Sequence, residues 1–280
     1  MIFDNTNCLL GEGPLWHPER EELFWFDILA RRLHRKGQHW QFDDYVSAAG
    51  WVDADTLLVA SAKALSRFDI RTGHSEVIVP LEADNPLTRS NDGRADPWGG
   101  FWIGTMGVDG QQDAGAIWRF YRGELRQLYA PITISNAICF ASDRSQAYFT
   151  DTPTQKIMSQ RLDPEAGWPV GPPEVHIDLR GTPHKADGAV VDRDGNLWNA
   201  QWGSARVACY DPSGAFLHAV EFPASQTTCP AFGGPDLSVL HCTSAAAGLS
   251  QSELGKRPDS GRTFATATSA RGQAEHRVIL

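Results

Sequence analysis

The stretch ISNAICFASDRSQAYFTDT, Ile134 to Thr152, sets a lone amide, Asn136, in an apolar run 11 residues ahead of the strand-like segment AYFTDT that begins at Ala147. The arrangement recurs along the chain. Glu12 stands 11 before LFWFDI (Leu23 to Ile28), Asp187 stands 10 before LWNAQW (Leu197 to Trp202), and Asn91 stands 10 before FWIGTM (Phe101 to Met106). LLVAS (Leu57 to Ser61) and VLHCTS (Val239 to Ser244) complete six such segments, whose starts are separated by 34, 44, 46, 50 and 42 residues. A period of this size, in segments rich in aromatic and β-branched residues, matches one four-stranded propeller blade. A sandwich would show turn signals every ~8–12 residues and no larger period. The sequence therefore predicts an all-β fold, a six-bladed β-propeller with four-stranded blades, in which residues 1–280 form a single domain.

Turn chemistry agrees with that reading. Asp69-Ile-Arg-Thr-Gly73, Asp163-Pro-Glu-Ala-Gly167, Asp192-Arg-Asp-Gly195 and Asp211-Pro-Ser-Gly214 separate the strand-like runs, and no segment carries a helical stripe. Closure of the ring is expected from an N-terminal segment pairing with the C-terminal one, where FATATSARG (Phe264 to Gly272) and HRVIL (His276 to Leu280) read as two strands.

Composition narrows the function classes. Lys and Arg number 25 against 34 Asp and Glu, a formal charge of -9 without any basic stripe, so a nucleic-acid backbone would be repelled. The N-terminus MIFDNTNCLL lacks the basic and apolar regions of a signal peptide, and no apolar run is long enough to span a membrane. A cytoplasmic protein without membrane or nucleic-acid partners is expected; the oligomeric state is not legible. Cys8, Cys139, Cys209, Cys229 and Cys242 are odd in number, widely spaced and without a C-x-x-C pair, and read as small buried apolar residues.

Residues at one register of a closed ring of repeats point at a common axis, so Glu12, Asn91, Asn136 and Asp187 converge. Each has a plainer reading alone: Glu12 in a glycine-flanked turn, Asn91 and Asp187 in Asn-Asp-Gly and Asp-Gly turns, and Asn136 satisfied by backbone. Four coincidences at one register are harder to accept than one shared cause. Carboxylates and an amide make a hard, oxygen-only set suited to Ca²⁺, Mg²⁺ or Mn²⁺, with Zn²⁺ and Fe²⁺ as alternatives. Arg89, two residues before Asn91, adds a cationic fork for the oxygens of a polar substrate. Trp16 and Trp202 are candidates to flank a sugar, whereas His184 reads as a loop residue. No G-x-S-x-G, H-E-x-x-H or dinucleotide glycine loop is present.

LGEGPLW, RSNDGRADPWGGFWIGTM, ISNAICFASDRSQAYFTDT, ADGAVVDRDGNLWNAQWG and CPAFGGPDLSVLHCTSA, in this order, resemble the regucalcin/gluconolactonase family, also called the senescence marker protein family. The resemblance runs from about Cys8 to the C-terminus. It implies a six-bladed propeller with one divalent metal ion on its axis and hydrolysis of sugar lactones. Carried over by motif, the metal ligands fall on Glu12, Asn136 and Asp187, with Ca²⁺ the first expectation, and the substrate contacts fall on Arg89 and Asn91. Asp187 would also be the general base. An acidic substrate contact of some members aligns loosely with Asp109, in Gly107-Val-Asp-Gly-Gln-Gln-Asp113. Where many members have Pro-Asp-Gly, this chain has Ala186-Asp187-Gly188. The expected activity is opening of an aldonolactone to its sugar acid in carbohydrate catabolism. Two readings of other kinds stand beside it: a non-catalytic calcium-binding or scaffold propeller, and a hydrolase of aryl esters or organophosphates.

Overall fold

The computed structural model describes residues 1–280 and arranges six four-stranded antiparallel sheets as the blades of a propeller. The innermost strands of blades 1 to 6 are Gly11–His17, Val46–Asp53, Thr88–Ala95, Ser135–Phe140, Lys185–Val191 and Gln226–Gly233. Each packs against the innermost strands of both neighbouring blades, which closes the ring.

The six recurrent segments are the second strands of the six blades: Glu22–Asp27, Thr56–Ser61, Phe101–Gly107, Gln146–Asp151, Leu197–Trp202 and Val239–Ala245. These strands lie between the faces of adjacent blades, so both sets of alternating side chains are covered. Their sequences accordingly read as continuous apolar runs. The outermost strands, such as Ser75–Pro80 and Phe216–Glu221, are largely exposed and carry a weaker signal.

Closure follows the expected scheme in part. Ile2–Asp4 is the outer strand of blade 6 and pairs with Thr263–Ala267, setting Ile2 opposite Phe264. The second expected strand, HRVIL, is not one. Residues 268–280 instead run as an irregular strap along the ring, with Val278 fully buried among Leu58, Phe101 and Phe120. A strand there would need a free sheet edge, and the N-terminal strand already takes the only one in blade 6. One short helix, Gln251–Lys256, interrupts the otherwise all-β chain and begins with a capping box between Ser250 and Glu253. It is neither long nor apolar enough to cross a membrane. All five cysteines are free and buried.

Two imidazoles stack on indoles, one pair within blade 1 and the other between blades 6 and 1. His34 lies on Trp25 with ring centroids 5.6 Å apart, and His241 lies on Trp16 at 5.7 Å. Burial pulls both imidazoles down from the ordinary 6.5 to about 4. Below pH 6.5 the unfolded chain therefore takes up protons that the folded chain refuses. The contribution of these residues to stability is complete above 6.5 and is lost as the pH falls toward 4. Denaturant unfolding at pH 7 and pH 5 should show a smaller acid-induced loss for His241→Phe than for the wild type. An equal loss would mean that His241 is charged in the folded protein.

Candidate active site and metal centre

Glu12, Asn91, Asn136 and Asp187 all lie on innermost strands, near the ends at which those strands begin. Each strand departs from regular register at that point, between Glu12 and Leu15, Ser90 and Gly93, Asn136 and Cys139, and Ala186 and Ala189. A bulge inserts an extra residue, bends the strand and re-aims the side chain beside it. The residues following Glu12 and Asn136, Gly13 and Ala137, take left-handed backbone angles with φ of 52° and 57°. Glycine is needed at the first of these: a Cβ on Gly13 would lie 2.2 Å from the Ser47 carbonyl oxygen of blade 2. The Asn-Asp-Gly and Asp-Gly pairs are thus bulges inside strands. The turn of blade 3 comes later, where Asp96 N–H donates to the Gly100 carbonyl at 2.8 Å.

A hydrogen-bond chain links the polar residues across three blades. Arg89 Nη1 donates to Asn91 Oδ1 at 2.8 Å, and Asn91 Nδ2 donates to Asn136 Oδ1 at 3.1 Å and to the Ser135 carbonyl at 2.9 Å. Asn136 Nδ2 donates to Thr152 Oγ1 at 3.0 Å, and Thr152 Oγ1 donates to the carbonyl of Ala186 at 2.8 Å, next to Asp187. Each amide is thereby fixed in orientation. Asn136 Oδ1 accepts one bond and keeps a lone pair for a ligand, while both amide hydrogens of Asn91 are taken up within the protein. Arg89 is buried, and its Nε has no partner.

Glu12 and Asp187 are buried, and their carboxyls face one another closely enough to hydrogen-bond. Burial pushes both upward from the ordinary carboxylate range. The negative charge of Asp92 adds to this for Glu12, and the charges of Glu12 and Asp92 add to it for Asp187. Asp92 itself is raised to about 6 by burial, and its Oδ2 accepts the Ile138 N–H at 2.7 Å. Two buried acids held face to face, with an oriented amide oxygen nearby, are a costly arrangement unless a cation lies among them. The donor set contains oxygen alone, which fits Ca²⁺, Mg²⁺ or Mn²⁺ better than Zn²⁺. Nowhere does the fold gather three His, Cys, Asp or Glu side chains at metal-binding reach. The Asn136 amide, oriented by Asn91 and Thr152, adds a further side-chain oxygen to the candidate set.

These groups line one end of a cleft of about 630 Å³, whose wall also includes Arg89, Asn91, Gln155, Lys185 and Trp202. Asp109 is not brought to it. The residue sits in an exposed turn after Phe101–Gly107, where its N–H and carboxylate bond Gln111, and Met106 lines the cleft in its vicinity. Trp202 reaches the cleft, whereas Trp16 is packed in the core on His241. His184 bonds Ser204 Oγ at 2.9 Å and stays outside. Sequence reasoning missed Asp92, Thr152, Gln155 and Lys185. The one signal available was Asp92's position beside Asn91 in a motif already singled out.

The architecture is that of a six-bladed propeller with a polar, oxygen-lined site on its axis. The chain belongs to the SMP-30/gluconolactonase/LRE-like family, whose model matches residues 10–246. It is 36% identical to an L-arabinolactonase of Azospirillum brasilense over 99% of this chain and 94% of that one. It is 34% identical to a 6-deoxy-6-sulfogluconolactonase of Pseudomonas putida over 95% of this chain and 94% of the relative. Among solved structures, a calcium-binding protein, regucalcin, from Agrobacterium tumefaciens superposes with a TM-score of 0.97 at 39% identity, covering 100% of this chain and 97% of that one.

Proposed function

We propose that this chain is a sugar lactonase that opens an aldonolactone to the corresponding sugar acid with one divalent metal ion held by Glu12, Asn136 and Asp187. The observation that carries the reading is the facing, buried Glu12 and Asp187 carboxyls at one end of a cleft that also presents Arg89. The names of the lactonase relatives support the substrate class. The name of the regucalcin neighbour favours Ca²⁺ as the first candidate, with Mg²⁺, Mn²⁺, Zn²⁺ and Fe²⁺ to be compared.

When bound, the ion would act as a Lewis acid on the lactone carbonyl and offset the charge that develops on its oxygen. The protein's own groups do the rest. Arg89 lines the cleft with an Nη2 that makes no hydrogen bond within the protein and can donate to lactone hydroxyl or carbonyl oxygens, and Asn91 Oδ1 retains an acceptor site for a hydroxyl hydrogen. Trp202 offers an apolar wall to the sugar ring. Asp187 accepts the proton of the attacking water as its oxygen bonds to the acyl carbon, then returns that proton to the ring oxygen when the ester C–O bond breaks. No covalent enzyme intermediate is required.

We also propose that the six blades act as one domain, and that the enzyme works in the cytoplasm, where five free buried thiols stay reduced. A non-catalytic calcium-binding role would leave the substrate-sized cleft and its unpaired Arg89 donor without use. The test is acid release from a panel of five- and six-carbon aldonolactones. Rapid release, abolished by a chelator and restored by Ca²⁺ or Mn²⁺, is expected. Failure on every lactone by metal-loaded protein would reject the enzymatic reading.

Glu12→Gln should weaken divalent-cation binding about 10²-fold, because one of two ligand charges is lost while shape is kept. Calorimetric titration would measure this. Unchanged affinity would remove Glu12 from the ligand set.

A further inference from the structure

The innermost strands begin at the cleft and end at the opposite mouth of the ring, and the C-terminal strap lies across that mouth. Gln273 Nε2 donates to the Val191 carbonyl at 3.0 Å on blade 5, and Arg193 N–H donates to the Arg271 carbonyl at 2.7 Å. On blade 2, Trp51 Nε1 donates to the Glu275 carbonyl and Val278 N–H to the Trp51 carbonyl, both at 2.8 Å. Ile279 N–H reaches the Gly99 carbonyl of blade 3 at 2.9 Å. Gly272 N–H adds blade 6 through the Leu237 carbonyl at 2.8 Å, so the strap is stitched to most of the ring, and its Glu275 carboxylate points inward to an ion pair with Arg94.

Arg94 lies on the innermost strand of blade 3, and its guanidinium serves three directions. Nη1 holds Glu275, Nε donates to the Ile138 carbonyl at 3.3 Å, and Nη2 donates to the Ala189 carbonyl at 3.4 Å. Ile138 is two residues beyond Asn136, and Ala189 is two residues beyond Asp187. The N–H of Ile138 is held from the same blade by Asp92. Both bulged strands that carry candidate ligands are therefore fastened just past the bulge by one largely buried side chain, and that side chain is aimed by the strap. Beside it, a cavity of about 30 Å³ lined by Arg94, Cys139, Gln273 and Glu275 has room for a single water, so the packing there leaves little slack.

We propose that Arg94 is a positioning residue for the metal centre: oriented by Glu275 of the C-terminal strap, it holds the strands of Asn136 and Asp187 at the separation that a divalent cation requires. This rests on the ligand assignment above. Charge and position make opposite predictions for its removal. A cation near the axis repels a metal ion, so by charge alone Arg94→Met should tighten binding. Loss of the two carbonyl tethers should weaken it, and partners of this kind are worth about 10–100-fold in metal affinity.

The experiment is calorimetric titration of full-length protein with Mn²⁺, for wild type, Arg94→Met and Arg94→Lys, with folding checked by circular dichroism. The expected result is weakening of about tenfold or more in Arg94→Met. Arg94→Lys keeps the charge and gives up the planar fork, so weakening is expected there too. It serves as the deciding variant if Arg94→Met does not fold. Affinity that is unchanged or tighter in the folded variant, even with a lowered thermal midpoint, would reduce Arg94 to a structural ion pair and overturn the proposal. A wild type that binds no Mn²⁺ or Ca²⁺ would overturn the metal assignment itself, an outcome read from a different sample.

Discussion

Asp187→Asn should lower kcat for aldonolactone opening by about 10²–10⁴-fold at saturating metal, the range associated with loss of a positioned general base. Asparagine keeps an oxygen in place for the ion and the shape of the bulge, but it cannot accept the proton of the attacking water. The substitution also removes one of two facing buried acids. Without added metal the variant should therefore be at least as stable as the wild type, although it binds the ion more weakly. This combination separates a catalytic loss from a folding defect. A folded, metal-saturated Asp187→Asn protein turning over at the wild-type rate would mean that carbonyl polarisation alone carries the reaction, and the general-base role would have to be dropped.

Arg89→Met should reduce kcat/KM by about 10–100-fold, corresponding to one or two charge-assisted hydrogen bonds to substrate, with the metal content unchanged. Arg89 lines the cleft and its Nη2 makes no hydrogen bond within the protein, so that donor is available to a ligand. Methionine approximates the stem and removes the charge. Arg89 reaches Asn136 only through Asn91, whose other hydrogen bond, to the Ser135 carbonyl, survives the substitution. The ligand amide should consequently keep its orientation. Steady-state kinetics with metal analysis of the same preparations is the check, and loss of bound metal from folded Arg89→Met protein would make Arg89 part of the metal centre.

Asn91 illustrates how a correct register can leave a role incomplete. Its place in the blade was legible from spacing, but both amide hydrogens are engaged with Ser135 and Asn136, leaving only its oxygen for a substrate. Asp109 shows the reverse. Motif likeness nominated it, yet the turn that holds it bonds Gln111 and stays in solvent. A loop between strands has no register to inherit from the repeat, so its direction cannot be read from periodicity.

The sequence by itself determined the number of blades, one strand of every blade, and the shared register of Glu12, Asn91, Asn136 and Asp187. These follow from local pattern: strands covered on both faces must be apolar throughout, and each repeat marks its own unit. Only the tertiary structure decided the rest. The bulges beside these residues depend on close approach between blades, as at Gly13 and Ser47. Asp92 and Arg94 acquired meaning from Ile138, Ala189 and Glu275, which lie 46, 95 and 181 residues away. HRVIL became a strap because the blade 6 edge was taken by the other end of the chain. Contacts across such separations arise when the ring closes, and no local window of sequence contains both partners.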